Sequence, residues 1–198
     1  MKDKRALEVE VTRSLIAGED AALERFVEIF RARIFDYCQL HCRHREDAEE
    51  AVQEIVLKLC EEAGAITEAT QARAWVFGVA QSVCASYEEG KEPIQGEPLS
   101  LEHLPSHWNR EMVDRHALPD DEAYQHEIHR LLGKAIWELP DAFRAAVFLR
   151  DWQGLGWHEV AGILEMEEGV AQQRVLAGHE MIRRKLDLHF HGRGQLAR

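Results

Sequence analysis

The chain has 198 residues, 45% hydrophobic and 30% charged, the balance of a folded globular protein rather than a disordered one. Its 24 Lys and Arg against 36 Asp and Glu leave a formal charge of −12. That excludes binding nucleic acid through the overall field, so any DNA contact must be local or delivered by a partner.

Met1 to Ala6 opens with mixed charge and no apolar run behind it, which argues against a secretory signal. The longest apolar stretch, Ala74 to Ala80, is too short to span a bilayer. A soluble, cytoplasmic protein without a membrane segment is expected.

Helical periodicity dominates, and no stretch alternates like a strand. From Ala21 onward, Leu23, Phe26, Val27, Phe30 and Ile34 recur at helical spacing, with Asp20 as the expected N-cap. A second helix follows Arg45-Glu46-Asp47, with Val52, Ile55, Val56 and Leu59 on its apolar face. Asp47, Glu50, Gln53, Glu54 and Lys58 lie on its polar face. A third is expected from about Gln71 to Tyr87, carrying Trp75, Val76, Val79, Ala80 and Val83, and the three can bury one core.

Cys38, Cys42, Cys60 and Cys84 all fall in these helices. In a reducing compartment they read as small buried hydrophobes rather than a disulfide framework. Cys38, His41 and Cys42 share a face, with His44 just beyond, but the spacing matches no closed zinc site. No metal and no cofactor is expected.

The character changes at Glu88. From there to about Gln125, Gly90, Pro93, Gly96, Pro98, Pro105 and Pro119 interrupt a carboxylate-rich stretch, which reads as a linker. Helical periodicity returns at Ile128 with Leu131, Leu132, Ala135, Ile136 and Leu139, and stops at Pro140. Helices are expected from Phe143 to Trp152, from Trp157 to Leu164, and from near Glu168 to about Phe190. The last two, joined by Glu165-Met166-Glu167, form a helix-turn-helix: small Ala161 allows a close crossing and Met166 fills the space between the helices. No serine or cysteine has an evident base partner, and Gly154-Leu155-Gly156 opens no phosphate-binding pattern. The chain does not read as an enzyme.

Asp47-Ala48-Glu49-Glu50-Ala51-Val52-Gln53-Glu54-Ile55-Val56-Leu57-Lys58-Leu59 resembles the polymerase-binding helix of sigma domain two. Gly18-Glu19-Asp20-Ala21-Ala22 lies upstream and Ala74-Trp75-Val76-Phe77 downstream, where the same family has its glycine-acid start and Trp-Leu pair. Leu139-Pro140-Asp141-Ala142-Phe143-Arg144, Phe148-Leu149-Arg150, Gly154-Leu155 and Glu159-Val160-Ala161 resemble sigma domain four. Two motifs in order around an acidic tether make the chain similar to the extracytoplasmic-function sigma factors, over almost its whole length.

The resemblance implies an all-α fold of two small helical domains. Residues 1–87 match domain two, 88–125 the linker, 126–190 domain four with its helix-turn-helix, and 191–198 a tail. It implies docking on core RNA polymerase through Asp47, Glu50, Gln53, Glu54 and Leu57. The stripe they form suits a basic partner helix. Promoter contacts would fall on Trp75 and Ser82 in domain two and on Gln172, Gln173, Arg174 and His179 in domain four. An anti-sigma factor is a further implied partner.

Departures from the family fall on the DNA-contacting positions. Where it has an asparagine, an aspartate and then an arginine run, this chain has Ser82, Ser86 and Glu89. In the recognition helix Arg174 matches, whereas Ala177 and His179 stand at later basic positions. Glu167 and Glu168 suit the helix dipole but face phosphates poorly, while Gln172 and Gln173 can read adenine edges. Weak DNA binding by the free protein is expected. The alternative to a promoter-directing sigma factor is a sigma-like adaptor or decoy that binds polymerase or an anti-sigma factor without reading promoters.

Overall fold

The structure is a computed structural model describing residues 4–42, 44–88 and 122–194. Every regular element among them is helical. The chain divides into two compact units, Met1–Gly96 and Glu97–Arg198. Most of the proposed linker and the end of the tail lie outside the described residues.

The first unit contains α1 (Lys4–Ile16), α2 (Ala22–His41), α3 (Arg45–Glu62) and α4 (Ala72–Glu88), with a single 3-10 turn at Ala63–Ala65. Sequence periodicity identifies α2 to α4 but not α1, whose contribution to the core is confined mostly to Val11. Two ion pairs fasten this helix instead. The buried Glu8 carboxylate accepts from Arg33 of α2 and, at 2.5 Å, from Arg73 of α4. A carboxylate pulled out of water this far is tolerated because both oxygens face a guanidinium.

Aromatic rings pack within the core of this unit. Phe26 and Phe30 lie 4.9 Å apart on α2, and Phe77 of α4 meets Tyr37 edge-on at 5.5 Å. Such tilted geometries satisfy the ring quadrupoles better than face-to-face stacking. Ala48 and Ala51, both fully buried, are the small residues by which α3 approaches its neighbours. The expected Asp20 cap does not form. The N-cap position of α2 is Ala21, in left-handed conformation at φ 60°, with no side-chain cap. Gly18 is also left-handed, and Ala22 N–H donates to the Glu19 carbonyl at 3.2 Å, so the backbone itself closes this corner.

The second unit contains α5 (Glu122–Trp137), α6 (Asp141–Val147), α7 (Trp157–Ile163) and α8 (Glu168–Gly194). Helix α5 begins before Ile128, inside the segment expected to be linker, and α6 starts directly after Pro140 rather than at Phe143. Helix α6 passes without a break into a wider π turn over Phe148–Trp152, where Gln153 N–H reaches the Phe148 carbonyl at 3.0 Å. Buried Arg144 holds the α5–α6 corner by donating to the Leu139 carbonyl at 2.7 Å. Arg150 holds the next corner, donating to the Leu155 carbonyl at 2.6 Å while its guanidinium stacks 4.3 Å over Trp157. The core is Leu132, Ile136, Val147, Phe148, Val160 and Ile182.

Candidate polymerase and promoter interfaces

On α3, Asp47, Glu50, Gln53, Glu54 and Leu57 share one side, because their spacings return to the same face of a 3.6-residue helix. The opposite side, Ala48, Ala51, Ile55 and Leu59, is buried. Asp47 is half-buried and the other four are exposed, Leu57 to 63%. Glu54 pairs with Lys58 at 3.4 Å, an i,i+4 contact that leaves the stripe strongly acidic. Beside it, an open groove of about 480 Å³ runs between α2 and α3, lined by Arg31, Phe35, Arg45, Val52 and Gln53. The stripe also reaches the end of α4. Desolvation, then Glu50 and Glu54, push the Tyr87 phenol above its usual pKa. Sequence periodicity places these carboxylates on α3 but carries no sign that Tyr87 stands beside them.

On α4, Trp75, Ser82 and Ser86 differ in how open they are. Trp75 is half-buried, 6.5 Å from the Phe26 ring. Ser82 is exposed, and its hydroxyl donates back to the Val79 carbonyl at 2.8 Å; Ser86 does the same to Val83 at 2.7 Å. Such back-bonding occupies the donor within the helix itself.

In the second unit, α7, a tight turn and α8 form a helix-turn-helix. Glu159 accepts from the Gly156 N–H at 2.6 Å and so caps the start of α7. At its end, Met166 N–H bonds the Ala161 carbonyl at 3.0 Å and Glu165 N–H the Gly162 carbonyl at 3.4 Å, with Glu165 left-handed at φ 50°. This is a Schellman closure with glutamate where glycine is usual. Ala161 is buried as expected; Met166 is only half-buried. At Gly178 of α8, an added Cβ would sit 2.5 Å from Val147 Cγ2 of α6.

The outward side of α8 carries Gln173, and Gln172 and Arg174 are half-buried beside it. Gln172 also reaches Glu168 at 3.3 Å. His179 does not stand open with them: its Nε2 lies 2.6 Å from Asp151 of the π turn. Leu176, 62% exposed on the outward side, was not singled out by sequence. The signal existed, because Leu176 falls off the apolar face of Ala171, Val175 and Ile182. Trp75 and Ser82 lie in the first unit, Gln172, Gln173, Arg174 and His179 in the second.

The cysteines divide three to one. Cys38, Cys42 and Cys84 are buried, but Cys60 is exposed, against expectation. The Cys84 thiol donates to Cys38, with the sulfurs 3.8 Å apart. That contact, followed by burial, pushes the Cys38 pKa far up. His41 packs tilted against Tyr37, with the ring centroids 4.6 Å apart. Among the described residues, no three His, Cys, Asp or Glu side chains are grouped to hold a metal, and no helix is long and apolar enough to cross a membrane.

No family model matches the chain. It is 22% identical over 172 residues to the ECF RNA polymerase sigma factor SigW of Bacillus subtilis, covering 85% of this chain and 91% of that protein. It is 24% identical over 146 residues to the ECF RNA polymerase sigma-E factor of Haemophilus influenzae, covering 72% and 76%. Among solved structures it resembles CnrH in complex with the cytosolic domain of CnrY, with a TM-score of 0.59 and 13% identity over 91% of this chain and 97% of the other. It also resembles the sigma factor RpoE in complex with the anti-sigma factor NepR from Bartonella quintana. There the TM-score is 0.59 and the identity 14%, over 85% of this chain and 98% of the other. At these identities the solved structures speak for the fold alone. The chain is thus similar in sequence to ECF RNA polymerase sigma factors and shares its fold with a solved sigma factor.

Proposed function

We propose that the protein is a sigma-type subunit that docks on core RNA polymerase through α3 and directs promoter-specific initiation, residues 1–87 making the main contact. The observation that carries this reading is the α3 stripe. Asp47, Glu50, Gln53, Glu54 and Leu57 stand together on the solvent side of a helix whose other side is core. Carboxylates around one exposed leucine suit a basic partner helix that also offers an apolar side chain. Residues 126–190 supply the helix-turn-helix, with Gln172, Gln173 and Arg174 the residues to meet base edges or phosphates.

Purified protein should co-elute with core polymerase. Reversing Asp47, Glu50 and Glu54 together to lysine should abolish co-elution while leaving helicity and melting unchanged. Normal co-elution of the triple variant sinks the docking assignment.

The second reading is an adaptor that binds polymerase without selecting promoters. It is favoured by His179 being engaged by Asp151 and by the carboxylates Glu167 and Glu168 opening α8. Run-off transcription on genomic fragments separates the two: specific transcripts support the first, and polymerase binding with no transcripts the second. An anti-sigma partner is proposed under either reading, because RpoE, with which the chain shares its fold, was solved with one.

A further inference from the structure

The outward side of α8 combines features that fit a groove-reading helix poorly. Leu176 is 62% exposed at its centre. A lone surface leucine needs no explanation, but this one lies where a helix-turn-helix presents its reading residues. Glu168 and Glu180, both exposed, flank it toward the two ends of the helix. Arg174 is half-buried at the edge of this side, and His179 is engaged by Asp151. The first exposed cation along the helix is Arg183. Laid in a DNA groove, the two carboxylates would approach phosphates, and each such contact costs binding. Laid against a cationic protein segment, the same carboxylates attract, and Leu176 gains an apolar partner.

We propose that this side of α8 is a docking surface for a basic, amphipathic protein helix. The occupant seats an aliphatic side chain on Leu176 and sets lysine or arginine against Glu168 and Glu180. The charge pattern selects it: an acidic or neutral segment would leave both carboxylates desolvated without a counter-charge. An occupant here covers Gln172 and Gln173, so it competes with duplex DNA for the same helix. The inference does not depend on polymerase docking through α3.

The test uses the full chain and a labelled synthetic peptide with leucines on one helical face and lysines elsewhere. Its control has the same composition in an order that breaks the apolar face. Fluorescence anisotropy at physiological salt, which screens long-range attraction, should show the patterned peptide binding about tenfold tighter than its control. Leu176→Ser and Glu180→Lys should each weaken the patterned peptide by about tenfold with melting unchanged, since both side chains are exposed. Asp47→Lys, Glu50→Lys and Glu54→Lys together should leave it bound. Equal binding of the two peptides overturns the proposal. So does loss of binding through the α3 reversals but not through Leu176→Ser. A Leu176→Ser variant that weakens duplex DNA and spares the peptide would make Leu176 a groove contact instead.

Discussion

His179 Nε2 lies 2.6 Å from Asp151 Oδ2, tying the middle of α8 to the π turn that ends α6. His179 of α8 is thereby drawn into the internal framework of the helix-turn-helix. Both side chains are largely shielded, at 21% and 12% exposure, so the contact should matter more than a surface pair. Asp151→Ala is expected to cost about 1–2 kcal/mol, read as a lower denaturant midpoint at constant slope. No loss of stability would show the contact to be incidental.

Gly178 marks where α8 crosses α6. An alanine Cβ there would sit 2.5 Å from Val147 Cγ2, with Leu139 and Phe143 close behind. Mid-helix, Gly→Ala ordinarily gains about 1 kcal/mol. Here overpacking opposes it by about 1–3 kcal/mol, since Val147 is fully buried and has nowhere to move. Thermal unfolding should show Gly178→Ala no more stable than the parent, and Gly178→Val much less. A clear rise in melting temperature on Gly178→Ala would mean the helices can move apart freely.

Glu8 fastens α1. Glu8→Ala removes the counter-charge from Arg33 and Arg73, both mostly shielded. The expected cost is about 3 kcal/mol, because two guanidinium groups lose their partner. Hydrogen exchange should rise first in α1, the helix with the fewest apolar anchors. Uniform loss of protection across the unit would instead show α1 to be integral to its core.

The differences between sequence and structure have specific causes. Helices α2, α3 and α4 were legible because Phe26, Phe30, Ile34, Ile55, Leu59, Val76 and Val83 repeat at helical spacing and are all buried. Helix α1 was not, because its docking rests on Glu8 rather than on an apolar stripe, and pairing with Arg33 and Arg73 leaves no local periodic trace. The α3 stripe could be read from the one helix that carries it. The engagement of His179 could not, since Asp151 lies on another element and meets it only after packing. Ala21 rather than Asp20 occupies the cap because the turn closes through its backbone, and residue preference is a weak guide to such corners.

Tyr87 offers an alkaline readout of the α3 stripe. Desolvation first, then Glu50 and Glu54, hold its phenol above the usual value of 10.0. A raised folded-state pKa means the protonated phenol is favoured by folding. Its contribution is therefore complete below the unfolded pKa and is lost as pH rises through the folded one. Stability should fall above about pH 10, and less steeply in Tyr87→Phe. Ultraviolet difference titration against Tyr87→Phe should place this phenol above the unfolded value. Glu50→Gln with Glu54→Gln should lower it only in part, since desolvation remains. An ordinary titration in the parent would mean that the stripe and Tyr87 lie further apart.

The free protein should bind duplex DNA weakly, with little sequence preference and a shallow salt dependence. Counterion release scales with phosphate contacts, and where the resemblance would place DNA contacts this chain has Ser86, Glu89, Gln172, Ala177 and His179, none of them lysine or arginine. Its formal charge of −12 adds long-range repulsion, so encounter is slowed as well. Arg174 is the cation kept on the first half of α8, and Arg174→Ala should remove most of the residual affinity. Ala177→Arg, at a half-buried position one turn further on, should tighten binding and steepen the slope of log affinity against log salt by about one. The gain should be the same on random and promoter fragments, because a phosphate contact carries no sequence information. Gel-shift titrations across salt concentrations decide it. Tight, sequence-selective binding by the unmodified free protein would show that Gln172, Gln173 and Arg174 suffice to read DNA despite the acidic field around them.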